Sequence, residues 1–203
     1  MHDNKNSRDY KMGILTNHAG KGHYTNEDAL RKLIRYIARS EGSSKAGKED
    51  VLCTGAYGAV DFLGEAFAIR QFEDIQHCYR RAGKISRYAD HEIFSFSPNA
   101  GRKLKENPEI LPALADKMAA VLSDGQYQVF YGIHTETGTD TSSSPDTQKC
   151  QPQNLHIHFA VNTVNFQTLN KRQETITATR EHERQLQELV RKNIWGSPDG
   201  AAP

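Results

Sequence analysis

The chain has 203 residues, 36% of them hydrophobic and 25% charged, with a formal net charge of +1. That is the length and balance of one globular domain with a real core and no room for a second full domain, and no apolar run approaches the ~18 residues that cross a bilayer. The near-neutral charge excludes a bulk electrostatic pull toward nucleic acid, and Cys53, Cys78 and Cys150 form no CxxC pair, which excludes a disulfide framework and a thiolate zinc site.

Residues 1–24 form a polar N-terminal segment without the apolar stretch of a secretory signal, so a cytoplasmic protein is expected. The first helical pattern follows Thr25, where Thr25-Asn-Glu-Asp28 has the form of a capping box with aspartate in place of glutamate. Leu30, Leu33, Ile34 and Ile37 then recur at helical spacing. Tyr36 falls beside that stripe, so its ring can lie against the core while its hydroxyl looks outward. Arg31, Lys32, Arg35 and Arg39 share the helix, and residues 41–48 read as a loop. Residues 51–54 are a short strand candidate, and Asp61 is positioned to cap a helix running to about residue 82, ended by Gly83. A basic cluster, Arg80, Arg81, Lys84 and Arg87, leads into an alternating strand over residues 91–97. Asn107-Pro-Glu109 starts a helix that ends at Gly125. Residues 127–134 are the next strand, 135–153 a polar loop, and 154–164 the most strand-like run of all. A charged helix covers roughly residues 169–194 and leaves 195–203 as a disordered tail.

In a strand, residues two apart share a face, so His156, His158, Ala160 and Asn162 lie on one side of the last strand and Leu155, Ile157, Phe159 and Val161 on the other. Imidazoles stand where a solvent face normally carries Lys, Glu or Thr. If residues 127–134 pair antiparallel with this strand, His134 comes beside His156 and three imidazoles converge. Three neutral imidazoles suit Mn²⁺, Zn²⁺, Co²⁺ or Ni²⁺ and leave positions open for a substrate oxygen. Glu136, two residues on, can accept the second ring N–H of a ligating histidine. A metal held this way stabilises charge that builds at phosphorus. With water as nucleophile the outcome is hydrolysis; with a tyrosine it is a covalent phosphotyrosine that conserves the bond for rejoining. A phenol of pKa near ~10 needs the metal, a base or nearby cations to act at neutral pH, and Tyr36 has Arg31, Arg35 and Arg39 on its own helix. Tyr10, Tyr24 and Tyr57 are the rival phenols.

Taken in order, Leu30-Arg-Lys-Leu-Ile-Arg-Tyr-Ile37, Val51-Leu-Cys-Thr-Gly55, His91-Glu-Ile-Phe-Ser-Phe96, His134-Thr-Glu136 and Asn154-Leu-His-Ile-His-Phe-Ala-Val-Asn162 resemble the relaxase/mobilisation nuclease family, part of the wider class of His-hydrophobic-His endonucleases. The resemblance spans about residues 28–172 and implies an α+β fold: a central five-stranded, mainly antiparallel sheet with helices packed on one face, in a nuclease domain over residues 25–194. It implies Tyr36 as nucleophile and His134, His156 and His158 as metal ligands, with His134, beside Glu136, acting in some members on the tyrosine instead. Ser95 and Asn162 are then expected at the DNA, with Arg31, Arg35, Arg80, Arg81 and Arg87 as phosphate contacts. The implied cofactor is a divalent ion, Mn or Mg first and Zn, Co or Ni after them. The implied partners are single-stranded DNA at an origin of transfer, accessory mobilisation proteins and a coupling protein, in a bacterial cytoplasm without membrane insertion. Two departures stand out: Glu136 occupies the family's usual aspartate position, and the loop to His156 is longer than usual. A rolling-circle replication initiator is the alternative, disfavoured because its tyrosine normally follows the HxH motif and only Phe159, Phe166 and Trp195 do so here. A non-catalytic DNA-binding relative is the other.

Overall fold

The computed structural model describes residues 11–17, 24–40, 51–79, 87–136, 154–173 and 175–196. Within them β1 (Gly13–Asn17), β2 (Val51–Tyr57), β3 (Ala89–Phe96), β4 (Tyr127–Glu136) and β5 (Asn154–Asn165) form one sheet in the order β1-β3-β5-β4-β2, every neighbouring pair antiparallel. The helices are α1 (Ala29–Ala38), α2 (Glu65–Tyr79), α3 (Pro98–Glu106), α4 (Leu111–Leu122) and α5 (Ile176–Trp195). The five-stranded antiparallel sheet of an α+β fold is therefore present. No helix among the described residues is long and apolar enough to cross a membrane.

β5 takes the central place because both of its faces can be covered, and residues 155–165 are all buried. One face sends Leu155, Ile157, Phe159 and Val161 into the main core with Phe94, Phe96, Val129, Tyr131 and Ile133, under Leu104 of α3, Leu114 and Met118 of α4, and Leu186 and Val190 of α5. The expectation of helices on one face needs amending. The stripe Leu30, Leu33, Ile34 and Ile37 of α1, with Ala68, Ile69 and Phe72 of α2, packs on Phe130 and Ala160 of the opposite face. Two helices thus cover part of this second face. Small residues at Ala160 and Ala89 let them approach.

Other boundaries move for identifiable reasons. The capping box does not form: Asp28 makes no side-chain cap bond to α1 and pairs with Lys32 at 3.5 Å, while the Asn26 carbonyl accepts the Ala29 N–H. Asp61 caps no helix; its carboxylate accepts the Ala56 N–H and closes the turn after β2, so α2 starts later, at Glu65. Helix α3 was not anticipated because Ser97 read as the end of a strand, yet Ser97 Oγ accepts the Ala100 N–H and Pro98 sits at the first turn, a regular helix start. Asn107-Pro-Glu109 opens only a 3₁₀ turn, Pro108–Ile110, ahead of α4. α5 begins only at Ile176, capped by Thr175, whose hydroxyl accepts the Ala178 N–H, because Asn165 first turns the chain by accepting the N–H groups of Gln167 and Thr168. β1, within the segment set apart as residues 1–24, extends the sheet at β3. Residues 41–48, Arg80, Arg81, Gly83, Lys84, the loop 137–153 and the tail 197–203 lie outside the described residues.

The far side of the sheet is tied by a buried ion cluster. Arg172 Nη1 donates to Asp90 at 3.0 Å and Glu92 at 2.9 Å, and Nη2 donates to the Leu122 carbonyl, so the turn after β5 is fastened to β3 and to the end of α4.

Candidate metal and tyrosine centre

Register decides which side chains meet. His134 stands opposite His156 and Gly132 opposite His158 across β4 and β5, while Ser95 stands opposite His156 and His91 opposite Ala160 across β3 and β5. Directly opposed residues share a face, so four histidines and Ser95 gather on the side that α1 covers. His134, His156 and His158 are 0%, 7% and 4% exposed, and their ligand atoms lie within 4.8 Å of one another. Burial pushes the His158 imidazole far below its usual range, helped by the neighbouring His134, His91 and His156 rings and by Arg39. It stays neutral, the state in which imidazole is a ligand.

The C-terminal turn of α1 completes the site. A Cβ on Gly132 would lie 2.7 Å from Ile37 Cγ2 and 3.0 Å from the Ile37 carbonyl oxygen, so only glycine lets the helix end press onto β4. That approach brings the Ile37 carbonyl to 2.8 Å from His134 Nε2. Arg39 leaves the helix in the left-handed region, φ 55°, and folds its guanidinium back over the Tyr36 ring, 4.7 Å from the centroid, with Nη2 at 2.8 Å from His134 Nδ1. A guanidinium only donates, so His134 Nδ1 accepts and Nε2–H donates to Ile37. Both ring nitrogens of His134 are thus engaged. The Tyr36 ring stands edge-on to His158, with centroids 5.7 Å apart, and 6.2 Å from His91.

The donor set fits a divalent transition ion: three buried imidazoles, clustered, with His158 held neutral, beside a phenol. His134 can join it only by giving up Arg39 at Nδ1. One cation, the guanidinium, already sits where a second would enter.

The remaining expected residues divide. Ser95 is exposed on the site face. Arg31 and Arg35 are exposed on α1, Arg31 paired with Glu73 at 2.7 Å. Arg87 pairs with the buried Asp90 at 2.6 Å. Asn162 is fully buried, donating to Phe72 O and Gln128 and accepting from Gln76, so its amide is spent inside the protein and it is not carried forward as a DNA contact. Glu136 closes β4 opposite Asn154, and its expected bond to a ligating histidine lies outside what is described. Arg80, Arg81 and Tyr10 fall outside the described residues. Tyr57 packs with the main core on the other face, which removes it as a rival phenol. Tyr24 does not drop out: its hydroxyl is 2.8 Å from His91 Nδ1. Sequence reasoning gave His91 no role, although it lies four strand positions from Ser95 and must share its face. Arg39 was noted only as one cation among several.

A family model described as the MobA/VirD2-like relaxase nuclease domain matches residues 30–195. Among solved structures, the conjugative relaxase TrwC in complex with oriT DNA, in its metal-bound form, is similar at a TM-score of 0.48 and 14% identity, over 89% of this chain and 68% of that one. The copper-bound form of the same complex gives 0.45 and 13% over the same shares. No curated protein matches.

Proposed function

Because the chain belongs to the MobA/VirD2-like relaxase family, as a nuclease domain that nicks DNA, we propose that it cuts one strand at an origin of transfer through a covalent tyrosyl intermediate, with Tyr36 as nucleophile. The observation that carries this reading is the position of the Tyr36 ring, 5.7 Å from the His158 ring and under the Arg39 guanidinium. His134, His156 and His158 would hold a divalent transition ion, Mn in the first instance. When bound, the ion polarises the scissile phosphate and offsets the charge that builds on it. Tyr36 Oη forms a bond to phosphorus, the bond from phosphorus to the 3′ oxygen breaks, the phenolic proton leaves to solvent and the 3′ oxygen takes one up from it. The products are a free 3′-hydroxyl and a 5′-phosphotyrosine, which the reverse reaction rejoins after transfer.

Arg39, whose guanidinium lies over the Tyr36 ring, meets the phosphate from the side of α1, while Ser95, Arg31 and Arg35 line the approach of single-stranded DNA. Accessory mobilisation proteins and a coupling protein are the expected partners, in the bacterial cytoplasm.

Incubation with an origin oligonucleotide labelled on the 5′-phosphate side of the nick, with Mn²⁺, tests the reading on a denaturing gel. Wild-type protein and Tyr24→Phe form the covalent band and Tyr36→Phe does not. A band from Tyr36→Phe shows that the nucleophile is wrong, and metal binding by the wild type with no cleavage of any origin sequence supports the non-catalytic relative.

A further inference from the structure

Behind the three clustered histidines lies a hydrogen-bonded chain that the proposed reaction does not use. His158 Nδ1 is 2.9 Å from His91 Nε2, and His91 Nδ1 is 2.8 Å from Tyr24 Oη. The two imidazoles stack nearly parallel, 5.1 Å between centroids and 23° between planes. Tyr24 meets the outer one edge-on at 5.9 Å.

Proton placement along this chain is determined once one end is set. A His158 that offers Nε2 to a cation carries its hydrogen on Nδ1 and donates it to His91 Nε2. His91 then carries its own hydrogen on Nδ1 and donates it to Tyr24 Oη. Both imidazole N–H donors in this sequence find an acceptor. The backbone supplies a separate sign that the end of the chain is held in place. Tyr24 adopts φ 64°, a left-handed conformation that costs a non-glycine residue roughly 1 kcal/mol. Its carbonyl is fastened by the Tyr88 N–H, one residue before β3 begins, so the strained turn and the strand bearing His91 are joined.

We propose that His91 is the positioning residue of the metal centre, fixing the tautomer and ring plane of His158 with its Nε2 lone pair toward the ion, and that Tyr24 fixes His91 in turn. This rests on the reading of the three histidines as metal ligands. In such a role an imidazole replaces the carboxylate or carbonyl that usually accepts from a ligating histidine, and loss of such a partner typically weakens metal binding 10–100-fold. The mechanism needs no contact between His91 and the DNA.

The test is titration of the metal-free protein with Co²⁺, followed by its visible absorption and by calorimetry, and separately nicking as a function of Mn²⁺ concentration. His91→Leu removes the acceptor; His91→Gln retains one at the position of Nε2. The expected result is Co²⁺ binding 10–100-fold weaker in His91→Leu, largely restored in His91→Gln, with the Mn²⁺ concentration for half-maximal nicking rising in parallel and kcat at saturating Mn²⁺ within a few-fold of wild type. Tyr24→Phe weakens Co²⁺ binding several-fold. Wild-type affinity in a folded His91→Leu protein overturns the proposal, as does an equal loss in His91→Leu and His91→Gln. Should His91→Leu not fold, Tyr24→Phe decides: weaker binding supports the proposal and unchanged binding overturns it. A wild-type protein that binds neither Co²⁺ nor Mn²⁺ refutes the metal reading itself, a result distinct from any difference among variants.

Discussion

Gly132 is the point at which packing and chemistry depend on one missing methyl group. An added Cβ would meet Ile37 Cγ2 at 2.7 Å, His134 Nε2 at 2.9 Å and the Ile37 carbonyl oxygen at 3.0 Å, where ordinary contact begins at 3.4 Å. The helix end must therefore back away by about 0.7 Å, and Ile37, fully buried in the second core cluster, cannot swing aside. Overpacking of this kind costs roughly 1–3 kcal/mol. Loss of the 2.8 Å bond from His134 Nε2 to Ile37 O adds roughly 1 kcal/mol, for a total of about 2–4 kcal/mol. Gly101 is the control, because its Cβ would stand at an unstrained 3.6 Å from Leu155 Cβ inside helix α3. There alanine gains up to ~1 kcal/mol from helix propensity. Urea denaturation followed by far-UV circular dichroism should place the Gly132→Ala midpoint about 1–2 M below wild type and Gly101→Ala at or above it. Nicking by Gly132→Ala should fall on the order of 10²-fold even where the protein is folded, since Tyr36 rides on the displaced helix. A Gly132→Ala protein with wild-type midpoint and activity refutes the claim that α1 is pressed onto β4 at this residue.

Arg39→Ala removes the guanidinium from His134 Nδ1 and from above Tyr36, so Mn²⁺ binding by calorimetry should tighten, by ~10-fold for one charge-assisted bond, while the single-turnover nicking rate at saturating Mn²⁺ falls ~10²-fold; weaker metal binding contradicts the competition between the two cations. Mn²⁺ at 100 times its Kd should stabilise the protein by ~2.7 kcal/mol, seen as a Tm rise of roughly 5–10 °C that EDTA reverses and that His156→Ala lacks. Arg172→Ala leaves Asp90 and Glu92, both fully buried, short of a partner and should cost about 3–5 kcal/mol in urea denaturation without altering Mn²⁺ affinity in the protein that remains folded.

The parts of the fold visible in the sequence are those set by periodicity within one element. The stripe on α1, the alternation of β5 and the two faces it defines follow from residues three, four or two apart, and the structure buries those positions as the pattern requires. The His134, His156 and His158 cluster needed one further step, an antiparallel pairing of β4 with β5, which the polar loop between them made natural. Boundaries fared worse where a polar residue had two uses. Asp28, Asp61 and Ser97 each have side chains suited to a helix N-terminus, and only Ser97, which read as strand, takes that role; Asp28 is drawn off by Lys32 and Asp61 by the Ala56 amide.

What stayed hidden depends on contacts between elements far apart in the chain. His91 reaches His158 only because β3 lies beside β5, a pairing that skips β4 and that no local pattern announces. Arg39 looked like one of several cations on an amphipathic helix, yet α1 ends one residue before it, and the left-handed φ at the cap turns this side chain inward while Arg35, on the same helix, stays exposed. Asn162 errs in the opposite direction: it shares the histidine face, as β alternation demands, but α2 covers that part of the face and the Phe72 carbonyl takes its amide. Face membership was therefore legible and cover was not. The cover decides the chemistry, since the helix that buries Asn162's neighbourhood is paired with the one that carries Tyr36 to the three imidazoles.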